Sequence, residues 1–139
     1  MKSYVFDTSA VLRYLESGPG APRVEALLNN ARDGECKIVM SAVNWGEVLY
    51  VLLRKLGRQD ALAAARSVRS LPIGLVSAGE AEAESAADLK DRYSLAYADC
   101  FAAALAMAND ATLVTRDFDF KSCQSEVLIE FLPRSSASH

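Results

Sequence analysis

The stretch "YVFDTSAVLRYL" (Tyr4–Leu15) places a single aspartate, Asp7, between two apolar runs. The run that ends at Phe6 predicts a buried strand, and the apolar spacing after Thr8 predicts a helix. Asp7 at this junction has two explanations. It is a common helix-capping residue, and Thr8 and Ser9 beside it support a cap. Alternatively, its carboxylate faces a cleft at the end of a sheet, and the choice depends on whether the chain repeats the pattern elsewhere.

The composition indicates one globular domain with a real core, since 51% of the 139 residues are hydrophobic. We place the domain at residues 1–132 and expect "PRSSASH" (residues 133–139) to be a flexible C-terminal tail. The chain starts with a strand pattern instead of a basic region followed by an apolar run, which argues against a secretory signal. The longest apolar run (residues 95–108) is too short to span a bilayer and contains Asp99. We therefore expect a soluble, cytoplasmic protein.

Cysteine and histidine usage excludes several kinds of site. The three cysteines lie far apart without a CxxC pair, and the only histidine is His139 in the tail. A zinc site of the usual kind is therefore excluded, and the cysteines are expected to be reduced and buried. A histidine general base and a Ser-His triad are likewise excluded. The net charge of −3 counts against nucleic-acid binding by bulk electrostatics alone, but not against an enzyme whose acidic pocket holds a cation.

Short apolar strands alternate with helices, which predicts an α/β fold with a mostly parallel five-stranded sheet and helices on both faces. The strands are predicted at residues 3–7, 36–40, 73–76, 111–115 and 127–132, and the helices at residues 8–16, 21–32, 42–56, 59–71, 80–92 and 97–109. Ser41 and Gly57 are predicted to cap the third helix, and Ser77 and Glu80 have the spacing of a capping box.

Four acidic residues stand alone in or beside apolar segments: Asp7, Glu47, Asp99 and Asp117. Glu47 is the only charge in residues 42–53, and Asp99 is the only charge in residues 95–108. Surface carboxylates usually accompany Lys or Arg at helical spacing, as those of residues 80–92 do. Asp7 and Asp117 both follow predicted strands, and parallel sheets bind ligands outside the carboxyl ends of their strands. This placement is the first indication that the acids meet.

Each of these acids also has a local explanation. Asp7 would be a helix cap, and Glu47 would point outward from an amphipathic helix. Asp99 would begin a helix at "YADC", and Asp117 and Asp119 would be turn residues. Taken together, the local explanations require four separate coincidences.

A joint acidic site requires a cation. Two carboxylates about 4 Å apart repel each other by roughly 4 kcal/mol at an effective dielectric constant of about 20. No Lys or Arg is adjacent in sequence to Glu47 or Asp99. Oxygen-only ligands suit Mg²⁺ or Mn²⁺, and Mg²⁺ commonly binds together with substrate phosphates. Such a site indicates phosphodiester hydrolysis, in which the ion polarises the phosphate and lowers the pKa of an attacking water.

Four motifs resemble those of the PIN-domain ribonucleases, specifically the VapC toxins of bacterial VapBC toxin–antitoxin modules. The motifs occur in the family's order and cover nearly the whole chain. They are "VFDTSAVL" with Asp7 and Thr8, "SAVNWGEVL" with Glu47, "LAYADCFAAALA" with Asp99, and "ATLVTRDFDF" with Thr115, Asp117 and Asp119.

The resemblance implies a PIN-like α/β domain that is an endoribonuclease dependent on Mg²⁺ or Mn²⁺. It also implies a homodimer and a VapB-type antitoxin that covers the cleft. Two acids are expected to bind the metal directly, and two through water or by orienting the attacking water. The pocket would consist of Asp7 and Asp99 as direct ligands and Glu47 and Asp117 as the other two, with Thr8 or Thr115 as supporting hydroxyls.

Some alternatives stay open at this point. We rank Asp117 above Asp119 because it is nearer the strand end, although either acid would complete the pocket. A receiver-type phosphoacceptor domain would normally show an acidic pair after the first strand, where this chain has one acid. A haloacid-dehalogenase-like phosphatase would need an acid at position 9, where Ser9 stands. A non-catalytic PIN-like interaction module is a further alternative, and the sequence does not name the RNA.

The apolar helices also predict where an antitoxin would bind. We expect the helices at residues 8–16 and 42–56, together with the "QDALAAA" helix, to form a groove for an amphipathic helix of the antitoxin. Substrate preference would depend on where basic residues gather; candidates are Arg13, Arg54, Lys55, Arg116 and Lys121.

Overall fold

Five strands form one sheet in the computed structural model, which describes residues 1–134 of the chain. They are β1 (Lys2–Phe6), β2 (Cys36–Ser41), β3 (Gly74–Val76), β4 (Thr112–Thr115) and β5 (Ile129–Phe131). Neighbouring strands lie in the order β3-β2-β1-β4-β5, and all four pairings are parallel. The predicted five-stranded sheet is confirmed, and within the described residues it is wholly parallel.

Helices fill the connections between the strands. They are α1 (Thr8–Leu15), α2 (Ala21–Arg32), α3 (Ala42–Leu56), α4 (Arg58–Arg69), α5 (Glu80–Arg92) and α6 (Tyr97–Ala108). A 3₁₀ helix (Phe118–Cys123) lies between β4 and β5, where the sequence predicts at most a turn at Asp117 and Asp119.

Apolar side chains cover both faces of the sheet, because neighbouring residues of a strand point to opposite sides. In β1, Tyr4 and Phe6 are buried in one cluster with residues of α1 to α4. Val5, between them, is buried in a second cluster with residues of α5, α6 and the 3₁₀ helix. This burial on both sides explains why the strands are nearly continuous apolar runs, and it confirms the predicted helices on both faces.

The strand order fixes where a ligand binds. Strands β2 and β3 lie on one side of the central β1, and the next strands in the chain, β4 and β5, lie on its other side. The switch point, where such sheets bind ligands, is therefore the crevice outside the carboxyl ends of β1 and β4. A receiver domain has the order 2-1-3-4-5, so the receiver-type interpretation is wrong.

The caps predicted for the third helix are confirmed. The Ser41 hydroxyl accepts a hydrogen bond from the Val43 N–H at 3.2 Å, at the start of α3. Gly57 follows α3 with φ 80° and ψ 167°, and α4 begins at the next residue. Glycine is required there because side chains rarely tolerate this conformation.

The predicted capping box of Ser77 and Glu80 is wrong. Helix α5 begins at Glu80, so Gly79 is its N-cap. The Glu82 carboxylate accepts a hydrogen bond from the Gly79 N–H at 2.7 Å. A carboxylate at the third helical position reaches back to the cap in this way, and the interaction therefore lies two residues later than predicted.

Other boundaries differ by a few residues. The helices predicted at residues 8–16, 59–71 and 97–109 are found at residues 8–15, 58–69 and 97–108. The last strand is shorter than predicted and starts at Ile129, because the Val127 N–H donates to the Cys123 carbonyl and closes a turn after the 3₁₀ helix.

Three further predictions concern the chain as a whole. Cys36, Cys100 and Cys123 are buried and free of disulfides, as predicted. No helix in residues 1–134 is long and apolar enough to cross a membrane. Of the tail predicted at residues 133–139, residues 135–139 lie outside the described part of the chain, so the domain limit stays a prediction.

Candidate active site

Asp7 lies at the carboxyl end of β1 and is the N-cap of α1. Its Oδ1 accepts hydrogen bonds from the Ala10 N–H at 2.9 Å and from the Ser9 hydroxyl at 2.7 Å. Asp7 is only 2% exposed. The local explanation of Asp7 as a helix cap is therefore confirmed, but the cap uses only one of the two carboxylate oxygens.

The second oxygen of Asp7 is held by Thr115, the last residue of β4. The buried Thr115 hydroxyl donates to Asp7 Oδ2 at 2.5 Å and accepts from the Asp117 N–H at 2.9 Å. The Ser9 hydroxyl makes a parallel connection, since it accepts from the Arg116 N–H at 2.8 Å. These bonds fix Asp7 and Asp117 to the same edge of the sheet, at the switch point.

Glu47 is held on α3 by uncharged donors. Its Oε1 accepts hydrogen bonds from the Thr8 hydroxyl at 2.7 Å and from Asn44 Nδ2 at 3.3 Å. Thr8 is the first residue of α1, so the bond joins α3 to α1 directly beside Asp7. Glu47 is half-buried and faces this junction instead of pointing away from the protein.

Asn44 connects the Glu47 carboxylate to α6. Its side chain is fully buried, and Nδ2 also donates to the Ala98 carbonyl at 3.2 Å. Ala98 directly precedes Asp99, so this bond places the start of α6 against α3. This role of Asn44 is not predicted from the sequence. The available signal was a polar residue three positions before Glu47, on the same face of an otherwise apolar helix.

Asp99 lies in the first turn of α6, where the other acids converge. Burial and then the surrounding negative charges raise its pKa to about 7; those charges belong, in order of effect, to Asp117, Asp7, Glu47 and Asp119. Each of the other predicted acids therefore contributes to the raised pKa of Asp99. Hydrogen bonds connect the segments that carry the four acids, while their joint role in one site stays a prediction.

Asp117 and Asp119 differ in their positions within the group. Asp117 is half-buried and caps the 3₁₀ helix, since its Oδ1 accepts from the Asp119 N–H at 2.9 Å. Asp119 is exposed. The charge of Asp117 raises the pKa of both Asp7 and Asp99, and it affects Asp99 more than Asp119 does. These observations support the ranking of Asp117 over Asp119.

Burial dominates the electrostatics of Asp7. It raises the pKa of this carboxyl to about 6, although the hydrogen bonds from Thr115, Ser9 and Ala10 act to lower it. The charge of Asp117 adds a further increase. The donors around Asp7 therefore orient the carboxylate but do not offset the loss of water.

The donor set fits a hard divalent cation. The ion pairs of residues 1–134 include none of these acids. No three Asp, Glu, His or Cys side chains in these residues are spaced to hold an ion by themselves. Mg²⁺ needs only one or two carboxylates, because it keeps several of its waters. Asn44 Oδ1, buried without a hydrogen-bond partner in this part of the chain, is a further acceptor beside Glu47.

Two cavities in the protein do not coincide with the acids. One, of about 520 Å³, lies between α5 and α6, and the other, of about 450 Å³, is lined mainly by residues 17–23. Neither includes Asp7, Glu47, Asp99 or Asp117.

Comparison with known proteins identifies the family. The PIN-domain model matches residues 4–124. The chain belongs to the PIN-domain family. Nuclease activity is general in PIN domains, and it generally depends on a metal. A comparison with curated proteins finds no match.

Solved structures of VapBC proteins share this PIN fold. VapC20 of Mycobacterium tuberculosis, a sarcin-ricin loop cleaving toxin, is 20% identical with a TM-score of 0.74, over 94% of this chain and 99% of that chain. VapBC2 of Rickettsia felis, bound to a fragment of promoter DNA, is 17% identical with a TM-score of 0.73. The match covers 94% of this chain and 99% of that chain. VapBC-1 of nontypeable Haemophilus influenzae is 17% identical with a TM-score of 0.71, over 93% and 97%. At these identities the likeness establishes the fold.

The raised pKa values predict a pH-dependent stability of the metal-free PIN domain. The pKa values of Asp7 and Asp99 are about 6 and about 7 in the folded protein, against 3.8 ordinarily. Between about pH 4 and these raised pKa values, the two carboxyls bind more protons in the folded state than in the unfolded state. Their stabilising contribution is therefore complete below about pH 4 and is lost as the pH rises through 6 to 7. The free energy of unfolding, measured by urea denaturation in EDTA, should fall over this interval.

Matched variants separate this effect from the titration of other groups. Asp7→Asn should remove about 3 kcal/mol of the fall, and Asp99→Asn should also flatten the curve. Asp91→Asn, at an exposed position on α5, should leave the fall unchanged. Curves of identical slope for all four proteins would show that the two carboxyls do not carry raised pKa values.

Proposed function

We propose that this PIN domain is an endoribonuclease dependent on Mg²⁺ or Mn²⁺ and the toxin of a type II toxin–antitoxin module. The observation that carries the proposal is the hydrogen-bond network at the switch point, in which Thr115 links Asp7 to the segment of Asp117, and Asn44 links Glu47 to the carbonyl before Asp99. No cationic side chain of residues 1–134 forms an ion pair with these acids. An uncompensated acidic group at the switch point of a parallel sheet is suited to a cation that arrives with a phosphate.

Each acid has a proposed role. Asp7 and Asp99 would hold the ion directly, and a bound cation would offset the negative charge that is buried with them. Glu47 and Asp117 would hold it through water or orient the attacking water. Thr115 would keep both oxygens of Asp7 in place together with Ser9, and Thr8 would do the same for Glu47. A divalent ion in this position polarises the phosphate and lowers the pKa of a bound water.

The reaction would be a hydrolysis of the RNA backbone. The oxygen of a water attacks the phosphorus, and the bond between phosphorus and the 3′ oxygen breaks. The products carry a 3′-hydroxyl and a 5′-phosphate. The ribose 2′-hydroxyl takes no part, because the nucleophile is a water that the metal activates.

The proposal of an RNA substrate and of a toxin also draws on the similar structures. VapC20 is a sarcin-ricin loop cleaving toxin, and several similar structures are VapBC complexes. By analogy we propose a cognate VapB-type antitoxin, a homodimer and a cytoplasmic location. Exposed apolar residues on the outer helices support the antitoxin groove; these are Tyr50 and Leu56 on α3 and Leu62 on α4.

A non-catalytic interaction module is the second candidate. It is favoured by the caps, since Asp7 and Asp117 each have a local structural role that needs no metal. The same caps do not account for Glu47 or Asp99, whose carboxylates cap no helix.

The substitution Asp7→Asn distinguishes a cap from a metal ligand. Asparagine keeps an oxygen for the Ala10 N–H, so a role as a cap alone predicts near-normal cleavage. A role as a ligand predicts a loss of at least about 100-fold in RNA cleavage with Mg²⁺, with an unchanged circular dichroism spectrum. Asp91→Asn serves as the surface control. Cleavage by Asp7→Asn at the wild-type rate would overturn the proposed role of Asp7.

The cleavage products test the mechanism separately. A substrate with a 2′-methoxy group at the scissile position should still be cut, and mass spectrometry of unmodified RNA should find 5′-phosphate ends. Failure to cut the modified substrate, together with 2′,3′-cyclic phosphate ends on normal RNA, would rule out attack by water.

Hydrogen exchange tests the antitoxin groove. With the cognate antitoxin bound, the amides of α1, α3 and α4 should be protected. Leu62→Arg should weaken antitoxin binding by about tenfold or more, because it places a charge in an apolar contact. Leu128→Arg, at another exposed leucine, is the matched control. Protection confined to α5 would contradict the proposed groove.

A further inference from the structure

A pair of cations lies on a stacked pair of aromatic rings beside the acids. Phe118 and Phe131 stack with their centroids 4.9 Å apart and an interplanar angle of 12°. The guanidinium carbon of Arg134 lies 4.1 Å from the centroid of Phe118, and Lys121 Nζ lies 5.3 Å from it. We call these four residues the corner patch. The rings restrict the two long side chains, so both charges are held in one place.

The two charges of the corner patch are not compensated. The nearby carboxylates of β5 and the preceding loop already have cationic partners, since Glu130 pairs with Arg23 and Glu126 pairs with Arg92. Within residues 1–134, no carboxylate lies at salt-bridge distance from Lys121 or Arg134. Both side chains belong to exposed residues.

The corner patch shares the sheet edge with the acids. Phe118 directly follows Asp117, which caps the 3₁₀ helix. Phe131 pairs in register with Thr115, whose hydroxyl binds Asp7. Arg134 follows three residues later. The cations are therefore placed at the carboxyl ends of β4 and β5, next to the acidic group.

A nuclease with a net negative charge needs a local group of cations to bind RNA. The chain has a net charge of −3, and the acidic group itself repels the phosphates of RNA. Affinity for a nucleic-acid backbone comes mainly from Lys and Arg that neutralise phosphates. We infer that the corner patch binds one or two backbone phosphates next to the scissile one and so positions the single strand over the acids. This inference rests on the proposed function.

The salt dependence of RNA binding tests the inference. The probe is a fluorescein-labelled oligouridylate, and its anisotropy is measured over a series of KCl concentrations. All proteins carry Asp99→Asn to prevent cleavage. Each phosphate contact contributes about 0.7 to the slope of log affinity against log salt for a single strand. The slope is negative, and Lys121→Ala/Arg134→Ala should reduce its magnitude by about 0.7 if the patch binds one phosphate or by about 1.4 if it binds two.

Two control proteins accompany the double variant. Lys37→Ala/Arg69→Ala removes one lysine and one arginine from exposed positions at the opposite, amino-terminal edge of the sheet, and it should keep the parent slope. Lys121→Arg/Arg134→Lys retains both charges and should also keep it. A merely structural role of the cations would lower the melting temperature of the alanine variant without changing the slope.

The outcomes separate this inference from the proposed function. An unchanged slope in Lys121→Ala/Arg134→Ala, with RNA cleavage by the protein that retains Asp99, would overturn the corner patch alone. An equal reduction in Lys37→Ala/Arg69→Ala would also overturn it, since net charge would then explain the effect. Absence of both binding and cleavage would overturn the proposed function together with the inference.

Discussion

Burial of negative charge at one edge of the sheet, together with the mutual repulsion of the carboxylates there, is the constraint on which the site depends. Within residues 1–134, the hydrogen bonds to Asp7 and Glu47 come only from uncharged donors. Such donors carry no net positive charge, and burial removes the water that would screen the carboxylates from one another. The donors therefore orient the acids without cancelling their charge. The raised pKa values of Asp7 and Asp99 reflect the burial and repulsion that remain.

Much of this arrangement could be predicted from the sequence. Apolar runs fix the strands, and a parallel sheet collects whatever follows them at one edge. Asp7 and Asp117 follow β1 and β4, so their proximity needs only the strand assignment. Glu47 and Asp99 were found by a different signal, since each is the only charge in a long apolar helix segment. That signal works because a carboxylate on a buried helix face is unfavourable unless the site requires it.

The parts that were missed depend on contacts between distant segments. Asn44 binds the Ala98 carbonyl 54 residues away, and no local pattern specifies which helices meet. The sequence favours Ser77 as the cap of α5 because Ser77 and Glu80 have the capping-box spacing, whereas the actual cap, Gly79, has no side chain that would signal its interaction with Glu82. The corner patch also depends on contacts between distant segments and is therefore not predicted from the sequence. Lys121 and Arg134 were separate basic residues until the pairing of β4 with β5 brought both to the ring of Phe118.

The most direct test of the account is the effect of Mn²⁺ on thermal stability. An ion that binds only the folded state adds about 2.7 kcal/mol at a concentration of 100 times its dissociation constant. The melting temperature of the wild-type protein should therefore rise by several degrees, and that of the surface control Asp91→Asn should rise equally. Asp99→Asn should lose the increase while being no less stable than wild type in EDTA. An increase of the same size in Asp99→Asn and Asp7→Asn would contradict a shared metal site.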